Sequence, residues 1–201
     1  LVNVTRKLDV DYMKTVQNDV LYIPARELTP YIIEAYDKNP IEGEDIEAAV
    51  NALRNWNYIT DENQVAPAVF ATWLDLFQKN TFEDDYKHVG FNGPYPPVEV
   101  LEGFVKQNAS KWFDKVNTVQ TETRDDIILE SLELTVEALL KKETSFPEWG
   151  TIHHVEIRHQ LGTALPWLNY PELPIDGCDQ TVRPAGGLKV HGGASWRQII
   201  D

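Results

Sequence analysis

The 201-residue chain carries 18 Lys and Arg residues against 32 Asp and Glu residues, which gives a formal net charge of −14, and 42% of its residues are hydrophobic. This composition can build a sizeable core in one domain, while so acidic a surface repels phosphate backbones and anionic lipids and so disfavours nucleic acid and membrane partners. No apolar run reaches the roughly 18 residues needed to cross a bilayer, and the single cysteine, Cys178, excludes an internal disulfide and a cysteine-based zinc site.

Apolar residues recur at helical spacing through the first three quarters of the chain, which predicts a helical region over residues 1–146. Thr29 followed by Pro30 predicts the start of one helix, and Thr123 to Asp126 predicts the N-terminal cap of another. The apolar stripes that define the helices are Leu28, Ile32, Ile33 and Tyr36; Ile46, Val50 and Leu53; Val69, Phe70, Trp73, Leu74 and Phe77; Val98, Leu101, Phe104, Val105 and Trp112; and Ile128, Leu129, Leu132, Val136, Leu139 and Leu140.

The pattern changes near Pro147, which predicts a strand-and-loop region over residues 147–201. From Ile152 to Leu161 hydrophobic and polar residues alternate, as they do in a half-buried strand. A second alternating run, Ala194–Ile200, predicts another strand, and the loop between the two is punctuated by Pro166, Pro171 and Pro174. The expected fold class is therefore α+β, mainly helical with a β-containing C-terminal part.

His153, His154, Glu156 and His159 suggest a metal site, because Glu156 and His159 have the Glu-x-x-His spacing of helical di-iron centres. On the predicted strand, however, these two side chains point to opposite faces, and His153 lies roughly 20 Å from His159. His154 and Glu156 could contact one ion but supply only two ligands. We therefore predict no metal site in this chain and structural roles for these histidines.

Ser195, with His191 nearby, is the one candidate for a nucleophile and its base. The segment departs from the G-x-S-x-G nucleophile elbow, because Trp196 and Arg197 stand where the second glycine belongs. A structural serine in a strand is the favoured interpretation. The Gly186-Gly187 and Gly192-Gly193 pairs lack the following helix of a phosphate-binding loop, so they predict turns or bulges.

Several segments of the chain share residues with one enzyme family: Asp9-Val-Asp-Tyr-Met-Lys-Thr-Val-Gln-Asn-Asp19; Leu53-Arg-Asn-Trp56, then Ala66-Pro-Ala-Val-Phe70 and Trp73; Trp149-Gly150 with His153 and His159; and Gly193-Ala-Ser-Trp-Arg197 through Asp201. In register over nearly its whole length, the chain resembles the penicillin acylase family of N-terminal-nucleophile amidohydrolases. It departs from the family at Asn57, where Asp is usual, and across residues 79–97.

The resemblance implies an interior segment of the large chain of an αββα hydrolase that cleaves linear amides. In that family a precursor cuts itself, and a Ser, Cys or Thr at the new N-terminus attacks the amide while its own amine acts as base. Leu1 has no nucleophilic side chain, so the resemblance places the nucleophile outside this chain. No catalytic residue of the family carries over to this chain, no metal residue is expected in it, and its substrate-binding residues stay unknown. The chain is then expected to be a processed or excised piece that is inactive alone.

The resemblance also implies the surroundings of this segment. Its partners are the small chain and the rest of the large chain, and the parent takes a small acyl-amide substrate. No cofactor is expected in this chain, although calcium could bind elsewhere in the parent. A periplasmic or secreted location is implied, and a cytoplasmic one stays open. Self-association is expected through the edge of the Ala194–Ile200 strand, because unpaired backbone groups attract partners.

Two other interpretations stay open at this point. A helical binding or interaction domain could share these residues without catalysing any reaction. A free-standing hydrolase could use Ser195 and His191. A self-cleavage junction, Gly-Ser, Gly-Cys or Gly-Thr, upstream in the full gene would favour the enzyme segment over the binding domain.

Overall fold

The computed structural model describes residues 8–108, 110–141, 143–194 and 196–200. Contacts divide the chain into two compact units, which we call the helical unit (Pro24–Asn57 and Val65–Pro147) and the mixed unit (Leu1–Ile23, Tyr58–Gln64 and Glu148–Asp201). One boundary therefore lies beside the predicted change at residue 147, but the mixed unit also takes in two earlier segments. None of the described helices is both long and apolar enough to span a membrane.

Helices and short strands make this an α+β protein, as the sequence predicted. The α-helices of the described residues are α1 (Val10–Gln17), α2 (Ile23–Lys38), α3 (Glu44–Arg54), α4 (Ala66–His88), α5 (Val98–Gln107), α6 (Arg124–Leu140) and α7 (Trp149–Ile152). Two short 3-10 helices cover Ser110–Trp112 and Pro166–Leu168. The strands are β1 (His154–Val155), β2 (Leu173–Pro174) and β3 (Lys189–Val190).

The helical unit is built around α4 and α6, with α3 packed against both. The apolar stripe of α4 supplies a row of aromatic rings, in which Trp73 stacks on Phe77 with 4.6 Å between ring centroids. The Trp73 indole N–H also donates to the Ile128 carbonyl of α6 at 3.1 Å. Aromatic stacking and a buried hydrogen bond therefore join the two central helices at one residue.

Helix positions follow the apolar spacing, and the cap of α6 is confirmed. The Asp126 amide donates to the Thr123 hydroxyl, while the Asp126 carboxylate accepts from the Thr123 amide at 2.8 Å, which is a capping box. The start predicted at Thr29 is wrong, because α2 begins at Ile23 and contains Pro30. Trp112 also lies beyond the end of α5, in the 3-10 helix that follows it.

The mixed unit contains a three-stranded sheet in the order β2-β1-β3. Strand β1 pairs antiparallel with β2 and parallel with β3, with His154 opposite both Pro174 and Lys189. The strand predicted from Ile152 to Leu161 is therefore wrong in extent. Its first residue belongs to α7, and only His154 and Val155 form strand β1.

The side chain of Asn169 holds the turn in which the alternating run ends. The Asn169 carboxamide accepts from the His159 amide at 3.0 Å and donates to the Gly162 carbonyl at 3.3 Å. These bonds hold the turn over residues 160–164, whereas just past β1 the Glu156 amide still donates to the Val190 carbonyl at 3.0 Å and the Tyr170 amide to the Ile157 carbonyl at 3.0 Å. Side-chain bonds of this kind compete with the strand ladder for backbone groups.

The second predicted strand, Ala194–Ile200, is also wrong for its described residues, none of which belongs to a strand. The Arg197 guanidinium binds the Asn18 side chain at 3.1 Å, and the Gln198 carbonyl accepts from Gln17 at 3.1 Å. Polar contacts with the end of α1 thus take the place of strand pairing here. Self-association stays a prediction, but it no longer has this strand edge as its basis.

Candidate functional site

The clearest grouping of charged side chains in the mixed unit surrounds Glu156, just after β1. Its carboxylate is only 7% exposed and binds the Arg158 guanidinium, with 2.9 Å between Nε and Oε1. The Lys189 ammonium lies 3.7 Å away, and His191 Nε2 lies 3.6 Å from Oε2. We call these four residues the Glu156 cluster. It forms because the parallel register of β1 and β3 sets Glu156 beside His191.

The Glu156 cluster holds its carboxylate in the charged form. Hydrogen bonding to Arg158 is the main cause that lowers the pKa of Glu156, and the charges of Arg158, Lys189 and His191 lower it further against the opposing effect of burial. Two permanent cations therefore face one permanent anion. Arg158, Lys189 and Glu156 together therefore carry a net charge of about +1.

A cleft of about 230 Å³ opens beside this cluster. Its second charged wall is Glu172, whose Oε2 lies 3.3 Å from the His154 Nε2. The lining residues are Glu156, Ile157, Arg158, Gly162, Thr163, Asn169, Tyr170 and Glu172. The cleft is thus built from one short stretch of the mixed unit, between the end of β1 and the start of β2.

His153 lies away from this charged face and is completely buried. Its imidazole stacks on the Trp149 indole with 4.3 Å between ring centroids, and neither ring nitrogen has a hydrogen-bond partner among the described residues. Burial lowers the pKa of His153, an effect that the Gly187 backbone and the Asp179 carboxylate partly offset. His153 is therefore a neutral core residue.

The structure does not bring the four candidate metal ligands together. His153 packs in the core, His154 faces Glu172, and Glu156 faces Arg158 and His191, while the His159 ring accepts a hydrogen bond from the Leu161 amide. Among the described residues no group of three or more His, Cys, Asp or Glu side chains could hold a metal ion.

We predict that His153 makes the chain less stable in mild acid. Its pKa lies below the ordinary 6.5, so the unfolded chain binds a proton that the folded chain does not. The free energy of unfolding should therefore fall as the pH drops below about 6.5, by at most about 1.4 kcal/mol per pH unit. Urea unfolding of the wild type and of His153→Phe, at about pH 8 and about pH 5.5, measures this dependence.

His153→Phe should lose that part of the pH dependence, because phenylalanine keeps the stack on Trp149 without a titrating group. At about pH 8 its stability should lie within about 1 kcal/mol of the wild type, since no hydrogen bond is removed. An unchanged pH dependence in the variant would mean that other groups cause it.

The Cys178 thiol and the Thr181 hydroxyl both lie in settings that disfavour nucleophilic attack. Burial raises the pKa of the Cys178 thiol to about 11, so the thiolate is scarce near neutral pH. The Thr181 hydroxyl lies within hydrogen-bond distance of the Cys178 and Arg183 carbonyls. His191 directs both ring nitrogens toward Glu156, one to its carboxylate and one to its carbonyl at 3.0 Å. Its candidate partner Ser195 lies outside the described residues.

A model of the penicillin amidase family matches residues 1–201, the whole length of the chain. The chain belongs to the penicillin amidase family. No curated protein matches the sequence closely enough to count as a relative. The match confirms the resemblance and indicates that the parent protein is a hydrolase.

The Trp149-Gly150 pair that supports this family assignment is a packing element in the structure. The Trp149 indole donates to the Gly177 carbonyl at 3.1 Å, and the Gly150 amide donates to the Glu62 carbonyl at 2.7 Å. A side chain on Gly150 would meet Pro174 Cβ at 2.7 Å. Trp149 and Gly150 therefore join separate stretches of the mixed unit.

The Gly186-Gly187 pair also has a local use. Gly187 has a φ of 74°, which favours glycine, and its amide donates to the Asp179 carboxylate at 3.2 Å. The Asp179 carboxylate thus accepts the Gly187 N–H, which is therefore not available to bind a phosphate. This fits the predicted turn.

Sequence reasoning found part of the cleft and missed the rest. Glu156 and His154 stood out as possible ligands, but Arg158, Lys189 and Glu172 did not. Lys189 and Glu172 approach β1 only through strand pairing, and pairing between distant two-residue strands leaves no local pattern in the sequence. For Arg158, the sequence offered one signal: in an alternating run, residues two apart such as Glu156 and Arg158 lie on the same face.

Proposed function

We propose that this chain is a structural segment of a penicillin-acylase-like enzyme that hydrolyses linear amides, with the nucleophile in another part of the protein. The family match over residues 1–201 carries the proposal. In this mechanism an N-terminal Ser, Cys or Thr attacks the amide carbonyl, its own α-amine accepts the proton, and the acyl-enzyme is then hydrolysed.

The side chains of the described residues support a scaffolding role. Cys178 is buried and protonated, and the hydroxyls of Thr81, Ser131 and Thr135 each donate to the carbonyl four residues earlier in their own helix. The three hydroxyls are thus held by hydrogen bonds within their own helices. A nucleophile supplied from elsewhere is consistent with that arrangement.

We further propose that the rest of the enzyme packs on the mixed unit and completes an αββα fold. Its large exposed apolar side chains include Trp167, Trp196 and Ile200, and burying them against the rest of the enzyme would remove their apolar surface from water. The small chain and the remainder of the large chain are the proposed partners. Export to the periplasm or outside the cell belongs to the same proposal, and cell fractionation of the full-length product would test it.

The deciding experiment is an amidase assay of the full-length gene product beside this chain alone, with chromogenic phenylacetyl, glutaryl and long-chain acyl amides. We expect activity only in the full-length protein, where the preferred acyl group would also emerge. A full-length variant with alanine at the residue after the self-cleavage junction is the control, and it should stay uncleaved and inactive. Activity of this chain alone would overturn the proposal and direct attention to Ser195 and His191.

A further inference from the structure

The cleft of the mixed unit presents two opposite charges to one small space. Its positive side is Arg158, whose charge Glu156 only partly balances, because Lys189 also lies against that carboxylate. Its negative side is Glu172, which is 58% exposed and lies beside His154. Arg158 and Glu172 are close enough for the Glu172 charge to raise the pKa of Arg158.

Two side chains with apolar surface also line the cleft. Ile157 is 55% exposed and Tyr170 is 56% exposed, so both offer apolar surface to a molecule in the cleft. The Asn169 carboxamide accepts a hydrogen bond from the His159 amide and donates one to the Gly162 carbonyl. It therefore fixes the shape of the loop, and the cleft exists before any ligand arrives.

We propose that this cleft binds a small zwitterion, an α-amino acid with an apolar side chain. Its carboxylate would face Arg158, its ammonium would face Glu172, and its side chain would lie on Ile157 and Tyr170. The cleft volume of about 230 Å³ suits a ligand of that size. The proposal rests on the cleft alone and does not depend on where the nucleophile lies.

The overall charge of the chain favours a zwitterion over a simple carboxylate. A formal net charge of −14 repels any anion that approaches the surface. A zwitterion has no net charge and avoids that repulsion, while each of its two charges still gains a partner in the cleft. A molecule with only an ammonium group would leave the positive side without a partner.

Calorimetric titration with L-leucine of the full-length variant that has alanine after the self-cleavage junction tests the proposal, because that variant is not expected to hydrolyse the amide analogues. N-acetyl-L-leucine lacks the ammonium charge and L-leucinamide lacks the carboxylate, while both keep the side chain. We expect each analogue to bind at least about tenfold more weakly than leucine. Equal binding of all three, or no saturable leucine binding up to about 10 mM, would overturn the proposal.

Two variants test the two proposed charged contacts one at a time, Arg158 with the ligand carboxylate and Glu172 with the ligand ammonium. Arg158→Gln should weaken leucine at least about tenfold and leave binding of leucinamide nearly unchanged. Glu172→Gln should also weaken leucine but leave N-acetyl-leucine nearly unchanged. Lys87→Gln is the matched control, since Lys87 lines a separate charged cleft of the helical unit with Glu83 and His88, and it should change nothing.

Circular dichroism of each variant checks folding. If Arg158→Gln fails to fold, leucine binding by Glu172→Gln still tests the site, because the exposed Glu172 can be replaced without disturbing the core. Unchanged leucine affinity in a folded Glu172→Gln would refute the site. The amidase assay is independent, so loss of one proposal leaves the other standing.

Discussion

Replacing Trp73 with alanine is expected to lower the free energy of unfolding by about 3–5 kcal/mol, the range for a large aromatic residue removed from a packed core. Trp73 is fully buried, and its ring stacks on Phe77. Its indole also donates to the Ile128 carbonyl, which joins α4 to α6. The variant therefore loses apolar burial, ring stacking and a buried hydrogen bond between the two central helices.

Urea unfolding followed by far-ultraviolet circular dichroism measures this loss, because most of the helix lies in the helical unit. Trp167→Ala is the matched control, since Trp167 is 75% exposed, and its stability should stay within about 0.5 kcal/mol of the wild type. Trp73→Phe keeps a ring but loses the hydrogen bond, so its loss should be intermediate. Similar losses for Trp73→Ala and Trp167→Ala would contradict the core assignment.

The helices could be predicted because burial and helical spacing act together. In α3, Ile46, Val50 and Leu53 recur at the helical period and are all buried. The start of α2 could not be predicted from its local cap signal. Ala25 and Leu28 are fully buried and extend the apolar stripe toward the N-terminus, so tertiary packing outweighs the backbone hydrogen bond that Pro30 cannot donate.

The strands were harder to predict because local alternation does not specify a partner. The run after Ile152 alternates, yet only His154 and Val155 form a strand, and Asn169 holds a turn before the run ends at Leu161. The charged cleft shows the same limit, since Glu156 could be noticed in the sequence but its partner Lys189 could not. Contacts between residues far apart in the chain depend on the fold as a whole.

Gly150→Ala is expected to destabilise the mixed unit by about 1–3 kcal/mol, the usual cost of forcing atoms into a packed core. A Cβ at this position would lie 2.7 Å from Pro174 Cβ and 3.0 Å from the Glu62 carbonyl oxygen. Neither atom belongs to the far end of a flexible side chain, so the backbone itself must move. That movement would also disturb the hydrogen bond from the Gly150 amide to Glu62.

Gly103→Ala is the matched control because it makes the same chemical change in α5, where nothing lies within 4 Å of the added Cβ. It should stabilise the chain by about 0.5–1 kcal/mol, since alanine is the better helix former. Both substitutions restrict the unfolded chain equally. If urea unfolding shows that Gly150→Ala lowers and Gly103→Ala raises the free energy of unfolding, the difference is due to the contacts around Gly150. Equal gains in the two variants would mean that Pro174 and Glu62 move easily and that the close packing there contributes little to stability.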